Sequence, residues 1–272
     1  MSGTSRAIQA CGHDLLRTAD GQAGLGFNSS IIRALIKRLT RVLGYELVPR
    51  GEAAGRQLAS HLEELFRRLE IDCVFDVGAN AGQYRDFLRY EIGYSGYVVS
   101  VEPIPENAEK LIARAKSDPR WVIEAIALGS ESGWRSFNVM KNSVFSSFLE
   151  PADHVAGENE IVYRADVETR MLDEVFKHYR QEIGFRRPYL KLDTQGSDLE
   201  ILKGGRSVLP EFRALQTEIS FIAIYQEMPN YLETIQFLNE QGYDATCFSA
   251  VNRDEQLRII EADCVMVNRN LR

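Results

Sequence analysis

The stretch VFDVGANAGQY, residues 74–84, sets the reading of this chain. Val74 to Val77 form a short β-favouring run, Gly78 and Gly82 bracket a turn, and Gln83 opens a helical stretch. A strand, a glycine turn and a helix in that order form the place where a doubly wound sheet meets a nucleoside. The two glycines let the backbone turn tightly and approach a ligand closely. Asp76 falls at the carboxyl end of the strand, and the next strand, GYVVSVEP, ends at Glu102, twenty positions after Gly82. An acidic residue there is placed to accept hydrogen bonds from ribose hydroxyls.

Outward from this unit, β-rich runs alternate with helical stretches. The further runs are RWVIEAIALG, Trp134 to Met140, VYRADVETR, PYLKLD, RALQTEIS, DATCFSA and ADCVMVN, and the helices start near Gln83, Pro105, Leu172, Asp198 and Asn230. Such alternation predicts an α/β fold with a largely parallel sheet and helices on both faces. The short link between the last two runs predicts a hairpin, so one terminal strand runs antiparallel. A helix over about Gly55 to Leu69 leads into this domain, which we place at residues 71–272, after an extension at 1–70. Residues 1 to about 28 are polar and aperiodic, an expectation of weak order. Residues 31–43 carry Ile31, Ile32, Leu35, Ile36, Leu39, Val42 and Leu43 on one helical face, with Arg33, Lys37, Arg38 and Arg41 mostly opposite. Such a helix suits packing on the main domain or on a second subunit of a homo-oligomer, or contact with an anionic membrane surface.

The 272 residues are 44% hydrophobic and 26% charged, the proportions of an ordinary globular chain. Acidic residues outnumber basic ones, 39 to 32, which argues against nucleic acid as the main partner. Cys11, Cys73, Cys247 and Cys264 form no closely spaced metal or redox pair and read as reduced thiols of a cytoplasmic protein. No apolar run approaches the roughly 18 residues of a membrane span. The expected address is therefore the cytoplasm, with the inner membrane surface as the site of any peripheral contact.

Three features select among nucleosides. Aligned on Gly78, the dinucleotide fingerprint G-x-G-x-x-G meets Asn80 and Gln83 at its other glycine places, and no Lys-Ser or Lys-Thr pair follows the turn. Asp76 would repel a phosphate but suits a cation. S-adenosylmethionine offers adenosine, an ammonium and a sulfonium, with no phosphate.

The segments DVGANAGQY, VEPIPENAEKL, EAIALGSESGWRSF, NSVFSSF, ETRMLDEV and LKLDTQGSDLEILKGG, between about Val74 and Val267, resemble the FkbM family of S-adenosylmethionine-dependent methyltransferases. The resemblance implies a class I methyltransferase (Rossmann-like) doubly wound sheet of about seven strands, the last antiparallel. It implies O-methylation of a sugar, glycolipid or natural-product hydroxyl, with a small-molecule or glycan acceptor. It places Asp76, Gly78, Asn80, Gly82, Gln83 and Tyr84 in the cofactor loop. Glu102 would hold the ribose, Pro103 would shape the adenine side, and Ala125 and Ile126 would lie beside the ring. Asp193 would face the transferred methyl, and Ser143, Ser146 and Ser147 would flank the substrate mouth. The chain departs from the family at Gln195, where an acidic residue is usual.

The candidate bases are Asp193 and Glu218, which both end apolar strands, and His154, whose near-neutral pKa suits a base in a loop. Two neighbouring carboxylates could share a proton or hold a divalent cation such as Mg²⁺. Lys191 alternates with Leu190 and Leu192 and reads as a structural ion-pair partner, while Phe137, Phe145 and Phe148 read as core or as pocket wall. Two rival readings remain at this level: a nucleic-acid methyltransferase on the same fold, and a cofactor-binding module without catalysis.

Overall fold

The computed structural model describes residues 53–153 and 160–271. The basic segment at 31–43, Cys11 and His154 lie outside them. Helix α1 (Ala53–Leu69) precedes β1 (Cys73–Val77), α2 (Gln83–Phe87), β2 (Tyr97–Val101), α3 (Pro105–Ala115) and β3 (Trp121–Glu124). Then come β4 (Ala127–Gly129), β5 (Gly133–Met140), β6 (Ile161–Met171), α4 (Leu172–Ile183), β7 (Pro188–Leu192), α5 (Asp198–Gly204), β8 (Ala214–Ser220), α6 (Tyr231–Glu240), β9 (Tyr243–Arg253) and β10 (Ile259–Asn268).

Seven strands form one sheet in the order β3-β2-β1-β7-β8-β10-β9. The pairs β1–β2, β2–β3, β1–β7 and β7–β8 are parallel, and β10 is antiparallel to both β8 and β9. This is the expected doubly wound sheet with its antiparallel last strand. Strand β1 has β2 on one side and β7 on the other, so the chain reverses its winding direction there. Ligands of open α/β sheets bind outside the carboxyl ends of the strands at such a point.

The run RWVIEAIALG is not one strand. It breaks at Ala125 and Ile126, and its second half, β4, joins β6 and β5 in a separate three-stranded sheet. In that sheet β4 pairs parallel to β6, and β5 pairs antiparallel to β6. Ala127, Phe137, Val139 and Val167 bury its inner face against Ile104.

The main sheet is covered on both faces, which explains why β1 and β7 are buried at every position. On one face Phe75, Val77, Leu190 and Leu215 pack with Phe176 of α4 and Ile201 and Leu202 of α5. On the other, Val74, Val98 and Tyr189 pack with Leu58, Leu62 and Phe66 of α1 and Leu111 of α3. The second face carries a polar row. Ser100, Asp76, Lys191 and Gln216 are direct cross-strand neighbours on β2, β1, β7 and β8, and all four are buried.

Candidate active site

A cavity of about 600 Å³ opens at the carboxyl ends of β1, β2, β7 and β8. Its first wall is the glycine turn. Gly78 holds φ +84°, and a Cβ there would lie 2.0 Å from the Asp193 carbonyl oxygen, so only glycine fits. Gly82, also at φ +84°, faces away from the cavity, and its Cβ would meet Arg114, Leu111 and Trp121. Its role is close packing of the helix start on the sheet. Asn80 is left-handed at φ +47°. This turns its N–H onto Glu102 Oε2 at 2.7 Å, while the Ile104 N–H donates to Glu102 Oε1 at 3.0 Å. The Asn80 Oδ1 accepts from Asn107 Nδ2 and Ser143 Oγ, and its Nδ2 is buried with no hydrogen-bond partner. Glu102 is 3% exposed. Burial overrides the two N–H donors and pushes its carboxyl up to about 7.

Of the residues singled out in the sequence, Gly78, Asn80, Gln83, Tyr84, Glu102, Pro103, Ile126, Ser143, Ser146, Asp193 and Glu218 all line this cavity. Asp76, Gly82 and Ala125 do not. Asp76 is fully buried beneath the turn, accepting from Ser100 Oγ at 3.0 Å and facing Lys191 Nζ at 3.5 Å. Trp121 Nε1 donates to the same Ser100 oxygen. Ser146 turns its hydroxyl onto the Met140 N–H at 3.0 Å, and Ser147 donates to the Gln195 carbonyl at 2.7 Å. Phe137, Phe145 and Phe148 all form part of the wall.

Lys191 continues the polar row to the far wall. Its ammonium lies 3.2 Å from Asp193 Oδ2 as well as beside Asp76. Burial alone would lower it, but the two carboxylates together hold it above the usual lysine range. Asp193 Oδ1 accepts from Gln195 Nε2 at 3.2 Å, and the same nitrogen donates to Glu218 Oε2 at 3.1 Å. Burial, then Asp193, Glu261, Asp263 and Asp198, push the Glu218 carboxyl well above its ordinary range. Asp263 stands directly opposite Glu218 in the strand register and accepts from Gln216 Nε2. Burial raises its carboxyl to about 6.

The residues do not fit a divalent cation between Asp193 and Glu218. One amide nitrogen, Gln195 Nε2, donates to both carboxylates, and among the described residues no group of three or more His, Cys, Asp or Glu side chains is arranged to hold a metal ion. Sequence reasoning passed over Glu261, Asp263 and Tyr225. The first two had a visible signal, since an acidic pair in the apolar run IIEADCVMVN calls for partners; Tyr225 had none.

No curated protein matches the chain. Among solved structures it is similar to an FkbM methyltransferase from Methylobacillus flagellatus KT, at 15% identity and TM-score 0.44. That likeness covers 72% of this chain but only 43% of the other. It is also similar to the magnesium protoporphyrin IX methyltransferase of Synechocystis PCC 6803 with bound S-adenosylmethionine. There the identity is 11% and the TM-score 0.43, covering 91% of this chain and 100% of that one. The family model described as the methyltransferase FkbM domain matches residues 76–245, more than half of the chain. The chain therefore belongs to the FkbM methyltransferase family.

Proposed function

We propose that this protein is an S-adenosylmethionine-dependent O-methyltransferase that acts on a hydroxyl of a sugar, glycolipid or natural product. The observation that carries the reading is that one cavity is lined at one end by Gly78, Asn80 and Glu102, which would take a nucleoside, and at the other by Asp193 and Glu218, which would take a proton. The lining fits the cofactor. It carries five carboxyl side chains, Glu102, Asp193, Glu218, Glu261 and Asp263, which gain negative charge as pH rises, against two basic side chains, Lys191 and Arg253. Lys191 is already paired with two carboxylates, so a pyrophosphate finds little to neutralise it, whereas a cationic ligand is favoured. Asn80 Nδ2, buried without a hydrogen-bond partner, is a candidate donor to a nucleoside. The same acidic lining disfavours a phosphate-rich acceptor.

When bound, S-adenosylmethionine supplies a methyl group already activated on a sulfonium. Glu102 would hold the ribose, with Gly78 and Asn80 giving the backbone approach, Gln83 and Tyr84 the helix start, and Pro103 and Ile126 the adenine side. Ala125, exposed next to Ile126, would border that side, while Asp76 and Gly82 would act from beneath the turn. Ser143 and Ser146 would shape the acceptor mouth. The protein's work is alignment of the acceptor oxygen, worth about 7–11 kcal/mol in well-oriented systems, and removal of its proton. Glu218 is the assigned base: in its ionised form, a carboxyl with raised proton affinity takes a hydroxyl proton more readily. Asp193, paired with Lys191, would face the transferred methyl. His154, the further candidate base named from the sequence, lies outside the described residues.

Transfer of a labelled methyl group to a panel of sugars, glycolipids and polyketide alcohols tests the proposal. Glu218→Gln should lower the rate about 10²–10⁴-fold with cofactor affinity unchanged. An unaltered rate would remove Glu218 from the mechanism.

A further inference from the structure

The Gln195 side chain is the junction between the two carboxylates and the acceptor loop. Its Nε2 donates to Asp193 Oδ1 at 3.2 Å and to Glu218 Oε2 at 3.1 Å. Its Oε1 lies 2.9 Å from the Tyr225 hydroxyl, which also lies 2.8 Å from the Phe145 carbonyl and shares its proton between the two acceptors. Its own carbonyl accepts from Ser147 at 2.7 Å. Reversing the amide would set its carbonyl oxygen against two carboxylates, so this orientation is the one with complementary partners on both sides.

The backbone is bent to make this contact. Gln195 has φ +53°, a left-handed conformation that non-glycine residues seldom hold. Gly196 follows at φ +93°, with a would-be Cβ 2.8 Å from Leu149. The pair turns the residue 195 side chain back over the ends of β7 and β8 and into the cavity wall. Strain of this kind persists only where surrounding contacts over-determine it, and it gathers at functional sites.

Glu218 sits among like charges. Asp193 faces it from the end of β7, Asp198 from α5, and Glu261 and Asp263 from β10, with the Tyr225 hydroxyl nearby. Lys191, a cation of this wall, pairs with Asp193 and Asp76. The amide N–H of Gln195 is thus the side-chain donor to the Glu218 carboxylate, and hydrogen bonding to the ionised form favours that form. We propose that Gln195 is a positioning residue that ties Asp193 and Glu218 to one nitrogen and lowers the pH at which Glu218 gives up its proton. A carboxylate at this place could not do so, because it would add a negative charge where the glutamine supplies a donor. The inference rests on Glu218 as the base, but its direct readout does not require turnover.

The test uses Gln195→Met, which keeps length and volume and removes both polar atoms. The carboxyl carbons of glutamate are labelled with ¹³C in the full chain, and the Glu218 signal is assigned by its loss in Glu218→Gln. Its titration midpoint should rise by about one pH unit in Gln195→Met, a tenfold change in proton binding. Gln195→Glu should raise it further. The acid limb of the kcat/KM profile should move by the same amount, with cofactor affinity kept. A Glu218 midpoint equal in wild type and Gln195→Met, both folded by near-ultraviolet circular dichroism, overturns the proposal. If the midpoint moves but no acceptor is methylated by wild type, the Gln195 inference stands and the O-methyltransferase reading falls.

Discussion

The proposed ribose contact of Glu102 predicts a nucleoside affinity that depends on pH in a calculable way. In the ligand-free protein burial holds its carboxyl near 7, against 4.5 for an exposed glutamate. Ribose hydroxyls donate to the ionised form, so binding selects that form. At pH 6 about one site in eleven is ionised, and at pH 8 about ten in eleven. Affinity at pH 6 should therefore be about tenfold weaker than at pH 8, or about 1.4 kcal/mol. The probe of choice is methylthioadenosine, which has no group titrating near neutrality, measured by calorimetry in buffers of different ionisation enthalpy. Binding should release nearly one proton at pH 6 and almost none at pH 8. Glu102→Gln should bind more weakly with a flat pH profile. Folding stability runs the other way: a carboxyl with raised pKa contributes stability that is full below 4.5 and lost as pH rises through about 7, an effect of about 3 kcal/mol in the free protein. Wild-type affinity that is equal at pH 6 and pH 8, with no proton release, would refute the assignment of Glu102 as an ionising ribose partner.

Other consequences are narrower. Gly78→Ala places a Cβ 2.0 Å from the Asp193 carbonyl at φ +84°; it should lower the urea midpoint and abolish measurable nucleoside binding, and retained binding would show that the turn has slack. Lys191→Met strands Asp76 and should cost about 3–5 kcal/mol in chemical denaturation, with Asp76→Asn added to the same chain restoring part of the loss. Liposome flotation should depend on anionic lipid if residues 31–43 touch a membrane surface; flotation equal with neutral and anionic vesicles removes that contact.

The glycine-turn end of the cavity was legible because it is local. Gly78, Asn80 and Glu102 belong to one strand–turn–helix–strand unit, where spacing alone puts them together. The other end was only partly legible. Asp193 and Glu218 stood out as charges ending apolar strands, but Glu261 and Asp263 reach Glu218 only because β10 inserts antiparallel beside β8, a pairing no local pattern records. The three-stranded sheet was missed for a related reason. Its strand β4 is three residues long and continues the β-rich run of β3, so periodicity could not mark the break at Ala125 and Ile126. Gln195 was visible as a departure from an acidic pattern, but its meaning lies in Tyr225 and Glu218, thirty and twenty-three positions away.

The central claim is a nucleoside cavity that serves S-adenosylmethionine, and calorimetry of S-adenosylmethionine and S-adenosylhomocysteine with wild type and Glu102→Ala tests it most directly. The account predicts saturable, stoichiometric binding of both, weakened at least tenfold by the substitution. A well-folded wild-type protein that binds neither would contradict it.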